Sequence, residues 1–213
     1  MNFHDHSDLR GTHASFGASQ YSWLSYDSEN KIVDRYLASF APKLGTTLHE
    51  YARQRINNHL KMSKYDSFAV VNFLLENKIP KPIINIEAIM DTIVPYVNDT
   101  IKYRMIPEQV LYFSDYFYGT TDAIGFNEKT KTLRIHDYKS GQTPAKMEQL
   151  DIYAALFCLE YFMRPEDINI ELRIYQSADV LVHNPEVDEV RDVMTKIETF
   201  NSALIHFLKE VDL

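Results

Sequence analysis

The sequence has few of the residues that build disulfide-bonded, metal-clustered or membrane proteins. Its 213 residues include one cysteine, Cys158, and only six glycines. A single cysteine excludes a disulfide framework, a zinc knuckle and a four-cysteine iron–sulfur cluster within the chain, and it favours a reducing compartment. No apolar run reaches the roughly 18 residues that a membrane-spanning helix requires. The first residues lack the basic start and apolar stretch of a secretory signal, so we expect a cytoplasmic protein with no membrane partner.

Basic residues are also in deficit. The chain has 22 Lys and Arg against 30 Asp and Glu, a net charge of -8, whereas nucleic-acid-binding proteins usually carry a basic excess. The charge is uneven, because residues 31–64 hold seven basic and two acidic side chains, while residues 166–213 hold 11 acidic and four basic ones. Either these are ordinary solvated helix faces, or the first segment forms a basic surface for phosphates.

The first half of the chain has the periodicity of helices. One helix, capped by Ser28, is predicted to end near Phe40, before the breaker Pro42. A second is predicted over residues 48–62, opened by the T-x-x-E capping box at residues 47–50. Apolar runs predict two more helices, at 68–75 and 86–97, the second kinked at Pro95.

After Pro107 the apolar period changes from helical to two. Residues 109–126 and 132–139 are rich in β-branched and aromatic side chains, as strands are, and the intervening NEKT is a plausible hairpin loop. The remaining predicted elements are a helix over 144–162 capped by Thr143, strands at 168–175 and 179–182, and a C-terminal helix over 185–212 with one buried apolar stripe.

These elements predict a single mixed α/β domain over residues 1–213. Its predicted parts are a helical N-terminal part at 1–105, a hairpin–helix core at 106–182 and the C-terminal helix at 185–212. No internal repeat or low-complexity linker suggests a second domain.

The hairpin has a preferred register. If residues whose numbers sum to 259 are paired, Phe126 meets Leu133 and Ile124 meets Ile135, whereas a slip of one residue would exchange the apolar and solvent faces. The same register places Asp122 opposite Asp137. Lys139, two residues further on, projects to the same side.

Two opposed carboxylates destabilise a sheet unless a cation lies between them. Asp122 and Asp137 offer the oxygen ligands that Mg²⁺ or Mn²⁺ prefers, and Lys139 could steady a water or the charge of a phosphoryl transition state. The alternative is a surface Asp–Lys pair with a second aspartate nearby. Three glycines bracket this unit, which indicates either turns and bulges or close approach of a ligand: Gly119, Gly125 and Gly141.

On the next predicted helix, Gln149 and Tyr153 are four residues apart and share a face. Among apolar neighbours their polar ends need partners or a ligand. They are therefore either a satisfied buried pair or part of a binding site.

Four segments together resemble the PD-(D/E)XK nuclease superfamily: GTTLHE at 45–50, GTTDAIGF at 119–126, LRIHDYKSG at 133–141 and QLDIYA at 149–154. The similarity is to its RecB-like exonuclease branch, which includes small phage and mitochondrial exonucleases. The resemblance covers residues 45–155 and implies a restriction-endonuclease-like core, with a mixed central sheet flanked by helices.

The resemblance also implies roles for individual residues. It implies a metal shell formed by His49, Asp122, Asp137 and the carbonyl of Tyr138. The catalytic residues would be Asp122, Asp137, Lys139, Gln149 and Tyr153. Of these, Gln149 and Tyr153 would match the motif that contacts DNA near the scissile phosphate. Glu108 stands where relatives often have a glutamate, and Thr121 replaces the usual proline before the central aspartate.

From this resemblance we expect a Mg²⁺- or Mn²⁺-dependent DNA exonuclease, without an iron–sulfur cluster, in recombination, repair or phage DNA metabolism. Its expected partners are linear or single-stranded DNA ends and a homo-oligomer or a recombination or replication protein, since no phosphate-binding motor motif is present. The alternatives are a structure-selective endonuclease using the same site and an inactive nuclease fold that binds DNA or acts as a scaffold.

The N-terminal segment holds two further candidates. His4, His6 and Asp8 are spaced like part of a metallo-β-lactamase metal motif, but a polar terminus gives the same pattern. Ser19 and Tyr21, with the neighbouring Gln20 and Trp23, could bind and stack on single-stranded nucleic acid. The alternative, which we favour, is that they pack the N-terminus onto the domain.

Overall fold

A computed structural model describes residues 3–211 of the chain. Within them a mixed five-stranded sheet is combined with helices, and the N-terminal half is helical, which confirms the predicted α/β class. The predicted domain limits at residues 1 and 213, and the predicted helix end at residue 212, lie outside the described residues.

Four α-helices precede the sheet: α1 (Glu29–Ala38), α2 (Ala41–Asn57), α3 (Ser67–Glu76) and α4 (Ile86–Lys102). The helices predicted from the two apolar runs correspond to α3 and α4, and Pro95 lies inside α4. Short 3₁₀ segments occupy residues 7–9, 18–25, 64–66 and 81–83.

The predicted boundary between the first two helices is wrong. Pro42 lies in the first turn of α2 rather than before it, where a missing N–H costs nothing. The predicted capping box is also wrong, because Thr47 lies inside α2 and its hydroxyl donates to the Lys43 carbonyl over 2.7 Å. Gly45 is helical too, and a Cβ there would lie 3.1 Å from Ser140 Oγ. The helix therefore runs on through both expected breakers.

The strands are β1 (Ile106–Pro107), β2 (Val110–Ser114), β3 (Phe117–Thr120), β4 (Ala123–Asn127), β5 (Thr132–Lys139), β6 (Asn169–Gln176) and β7 (Asp179–His183). The main sheet has the order β1-β4-β5-β6-β7, with β5 and β6 parallel and the other pairs antiparallel. Residues 109–126 thus form three strands, of which β2 and β3 make a separate hairpin.

The predicted hairpin register is confirmed. Phe126 pairs with Leu133 and Ile124 with Ile135, and the ladder ends at the pair Ala123 and His136. Leu133 and Ile135 pack on one face of the sheet, against α5 (Glu148–Glu160).

The opposite face packs against α2 and α4, and α3 packs on these two helices in the same core, which includes Tyr138. Each face of the sheet therefore has its own hydrophobic core.

Helix α5 begins at Glu148, four residues later than predicted. The segment before it is held by a distant residue, Gln176 at the end of β6. Its Nε2 donates to the carbonyls of Gly141 and Thr143 over 2.6 and 2.8 Å, and its Oε1 accepts from the Ala145 N–H over 2.9 Å. Thr143 therefore lies in a loop anchored to β6 and caps no helix.

The last helix, α6 (Val187–Glu210), is buried only in part. Val190 and Ile197 are buried, whereas Phe200 and Leu204 are exposed. The predicted continuous buried stripe is therefore wrong beyond Ile197. No helix within residues 3–211 has the length and apolarity needed to cross a membrane.

Candidate active site

The candidate site lies where β4 begins and β5 ends. Asp122 immediately precedes β4, and its Oδ2 accepts a hydrogen bond from the backbone N–H of Tyr138 over 2.8 Å. Its other oxygen, Oδ1, lies 3.5 Å from Nδ1 of His49, which projects from α2. The second aspartate, Asp137, lies on β5 one residue beyond the end of the ladder with β4. Helix α2 and the hairpin thus bring three of the sequence-predicted residues to one place.

The charge of Asp122 is held in a largely buried position. The pKa of this carboxyl is raised to about 6, chiefly by burial and also by the nearby charge of Asp137, while His49 opposes the shift. A raised carboxyl pKa beside a second acid is typical of functional sites.

Asp137 has one satisfied and one unsatisfied oxygen. Only 3% of the residue is exposed, and its Oδ1 accepts from Lys139 Nζ over 3.0 Å. Its Oδ2 is buried and has no hydrogen-bond partner among the described residues. Because such an atom costs about 1–3 kcal/mol, a donor or a cation at this position would stabilise the site.

A chain of hydrogen bonds connects Lys139 to α5. Its Nζ also donates to Gln149 Oε1 over 3.2 Å, and Gln149 Nε2 donates to the Tyr153 hydroxyl over 3.2 Å. That hydroxyl donates to the Thr120 carbonyl over 2.7 Å. Gln149 and Tyr153 therefore share a face, as predicted, and link α5 to the lysine. A Cβ on Gly119 would lie 2.8 Å from Cε1 of the Tyr153 ring, so the ring packs against bare backbone.

The donor set suits a hard divalent cation in its chemistry. The two carboxylates supply the oxygen ligands that Mg²⁺ or Mn²⁺ prefers, and the unpartnered Asp137 Oδ2 is an oxygen that such an ion would satisfy. Within residues 3–211, however, no group of three or more His, Cys, Asp or Glu side chains is arranged to hold a metal ion. His49 and Lys139 pair with the two aspartates instead. The chemical types of these side chains therefore suit a metal ion, although in this structure the side chains pair with one another.

Most candidate residues of the N-terminal segment are exposed, unlike the buried Asp137 of the site. His4, His6 and Asp8 are exposed, and the last lies in the 3₁₀ turn at 7–9. Ser19 is exposed, and Tyr21 is 71% exposed. The favoured packing role is therefore not seen for these two residues.

The basic segment at 31–64 is partly neutralised. Arg53 pairs with Glu50 and Arg55 pairs with Asp66. For these two cations the structure favours the ordinary helix-face interpretation.

Backbone groups are what sequence reasoning missed. The Tyr138 N–H and the Thr120 carbonyl each bind a site residue, and no side-chain motif marks them. Glu108, expected near the site, contributes its backbone N–H to the Asp122 carbonyl over 3.1 Å. It does so with φ of +55°, a left-handed conformation that carries strain for a residue with a Cβ.

Comparisons of the chain with protein-family models, with curated proteins and with solved structures found no match. The function proposed below therefore depends on the geometry of the site and on the sequence motifs.

Proposed function

We propose that the chain is a divalent-metal-dependent deoxyribonuclease of the PD-(D/E)XK type, acting as an exonuclease on DNA ends. The observation that carries this proposal is the state of Asp137. A buried carboxylate with one oxygen on Lys139 and the other unpartnered, beside Asp122, has little structural use but suits a cation. The order of α2, the β4–β5 hairpin, α5 and the parallel β6 supports a restriction-endonuclease-like core.

His49, Asp122, Asp137 and the carbonyl of Tyr138 would hold Mg²⁺ or Mn²⁺. When bound, the cation would supply Lewis-acid polarisation of a phosphate and acidify water.

The protein itself contributes orientation and charge. The Tyr138 N–H orients the Asp122 carboxylate, because Oδ2 cannot rotate away without losing a partly buried hydrogen bond. The ammonium of Lys139 lies beside Asp137, where it can donate to a water or to a phosphate oxygen and offset negative charge. The Tyr138 N–H would thus keep the Asp122 carboxylate in place while Lys139 orients the reacting phosphate.

Gln149 and Tyr153 would contact the DNA next to the scissile bond. Both are polar, both lie on the α5 face towards Lys139, and Gln149 is exposed. A strand bound there would exchange hydrogen bonds with the amide and the hydroxyl. A homo-oligomer or a recombination or replication protein would supply any processive movement.

The test is a cleavage assay on linear and covalently closed circular DNA, with Mg²⁺, Mn²⁺ or EDTA. Asp137→Ala is the matched control, since it removes only the buried carboxylate. An exonuclease degrades linear DNA alone and only with metal. Cleavage of both substrates would favour the endonuclease alternative, and cleavage of neither, with DNA binding retained, would favour an inactive DNA-binding or scaffold protein.

A further inference from the structure

A cavity of about 640 Å³ opens beside the candidate site and shares Tyr138 and Lys139 with it. Its other walls come from the start of α2, the first half of α4, the loop after β5 and the β6–β7 turn. This volume lies within the range of about 300–1,000 Å³ in which proteins bind small ligands. It therefore suits a ligand of nucleotide size.

The cavity is electrically polarised. Among the described residues that line it, only Lys139, Glu87 and Asp91 carry a formal charge. Glu87 and Asp91 are four residues apart on α4, so both carboxylates lie on one helix face. The rest of the wall is apolar or neutral, with the Leu44 and Ile83 side chains beside the amides of Asn85 and Gln142.

The walls are fixed by hydrogen bonds. Gln176 anchors the loop through the Gly141 carbonyl over 2.6 Å. The turn after β6 is attached to α4 by the Ala178 N–H, which donates to Thr92 Oγ1 over 3.1 Å. Asn85 caps α4 through the Ala88 N–H over 3.2 Å. The cavity is thus largely pre-formed, which lowers the entropy cost of filling it.

We propose that this cavity receives one unpaired nucleotide at the end of a strand, with its phosphate towards Lys139 and its base towards Glu87 and Asp91. This inference rests on the proposed nuclease function and specifies its substrate. Carboxylates accept hydrogen bonds from the amino groups of bases, and an unpaired nucleotide offers them its whole Watson–Crick edge inside a pocket. The same two carboxylates repel the phosphates of a strand that would continue through the cavity, so the strand has to end there.

The occupant is tested first by binding, without metal. Deoxyadenosine 5′-monophosphate is titrated in EDTA and followed by NMR or calorimetry. Ala88→Trp adds a large side chain to the cavity wall at an exposed helix position, and Ala88 itself is not one of the residues assigned to the catalytic site. We expect it to weaken binding about tenfold or more. Asp192→Asn, on the exposed side of α6, removes one acid elsewhere and should bind as the wild type does. Thermal melts establish that each variant is folded.

Product lengths from single-stranded DNA, measured with Mg²⁺ or Mn²⁺, test the role of the acids. Wild type and Asp192→Asn should release mainly mononucleotides, and the double variant Glu87→Lys/Asp91→Lys should release longer fragments. The cavity assignment would be overturned by two results together: the double variant cleaves normally with unchanged product lengths, and Ala88→Trp binds the nucleotide as the wild type does. The proposed nuclease function would survive that outcome. A different outcome is that the wild type binds the nucleotide, Ala88→Trp does not, and the wild type cleaves no DNA. That outcome would support the cavity as a nucleotide site and overturn the proposed nuclease function.

Discussion

The Asp122 carboxylate accepts a hydrogen bond from the backbone N–H of Tyr138, across the end of the β4–β5 hairpin. The side chain therefore replaces a ladder partner at the point where strand pairing stops. Its charge is held in place by the backbone, next to the buried Asp137, although burial itself disfavours that charge. A charged Asp122 at this position therefore lowers the stability of the fold, which a functional role for the charge would explain.

We predict that Asp122→Asn stabilises the metal-free protein by about 0.5–1 kcal/mol at pH 7, as expected for removing one of two like charges in a sheet. Burial raises the folded pKa of this carboxyl to about 6, above its ordinary value. The protonated acid is therefore favoured in the fold, and wild-type stability falls as the pH rises from about 4 to about 6. Asparagine still accepts from the Tyr138 N–H but carries no charge.

Urea denaturation in EDTA measures this difference. Adding Mg²⁺ or Mn²⁺ should then stabilise wild type by mass action and do little for Asp122→Asn. A variant that is destabilised equally with chelator and with metal would show that the two aspartates do not repel.

Asp137→Ala and Lys139→Ala should each abolish DNA cleavage, because both residues act on one phosphate. Losses should be non-additive, so that Asp122→Ala combined with Asp137→Ala is no worse than either single variant. Single-turnover assays with matched amounts of folded protein measure this. Robust cleavage by Asp137→Ala would contradict the assignment of the site.

The hairpin register could be predicted from the sequence, because alternating apolar residues such as Ile124 and Ile135 tolerate no slip. The division of residues 109–126 into three strands, two of them in a separate hairpin, was not predicted. The start of α2 could not be read, since proline is both a helix breaker and a favoured first-turn residue. Nor could the start of α5, which depends on hydrogen bonds from Gln176, far along the chain. At the site, the acidic and polar side chains carried a signal, whereas the Tyr138 N–H and the Thr120 carbonyl carried none.

Gln149→Ala should weaken DNA binding and so lower the cleavage rate at low DNA concentration, while any metal binding is retained. Gln149 is exposed, so its loss should change the free energy of unfolding by no more than about 0.5 kcal/mol. Cleavage rates over a range of DNA concentrations, with a thermal melt, measure both effects. An unfolded variant whose remaining folded fraction cleaves normally would favour a purely structural role.

Gly119→Ala should lower cleavage without removing any functional group. The added methyl would meet the Tyr153 ring at 2.8 Å, so the ring has to move and its bond to the Thr120 carbonyl is disturbed. Gly17→Ala is the matched control, because its nearest neighbour would be the Ala14 carbonyl oxygen at an ordinary 3.5 Å. Equal activity of the two variants would mean that the position of Tyr153 is unimportant for catalysis.

A buried histidine on the other face of β5 gives the protein a separate dependence on acid. His136 is fully buried, and its Nε2 has no partner among the described residues. The pKa of this imidazole is lowered to about 3, chiefly by burial and also by the charges of Arg173 and Arg134. Its Nδ1 lies 3.3 Å from the Tyr175 hydroxyl, which donates to Asp99. The folded protein thus keeps His136 neutral at mildly acidic pH.

We predict that His136→Phe is more resistant to acid than wild type. Below the ordinary histidine pKa of about 6.5 the unfolded chain takes up a proton that the folded chain refuses until about pH 3. The stability due to neutral His136 is therefore complete above pH 6.5 and is lost as the pH falls, by up to about 1.4 kcal/mol per pH unit. Phenylalanine keeps an aromatic ring but has no group that binds a proton, while the carboxylates titrate alike in both proteins.

Urea denaturation in EDTA at pH 7 and pH 5 measures this difference. Between these two pH values the wild type should lose about 1–2 kcal/mol more of its unfolding free energy than the variant does. Parallel losses in the two proteins would mean that His136 is protonated in the fold, and that water or a local opening reaches its Nε2.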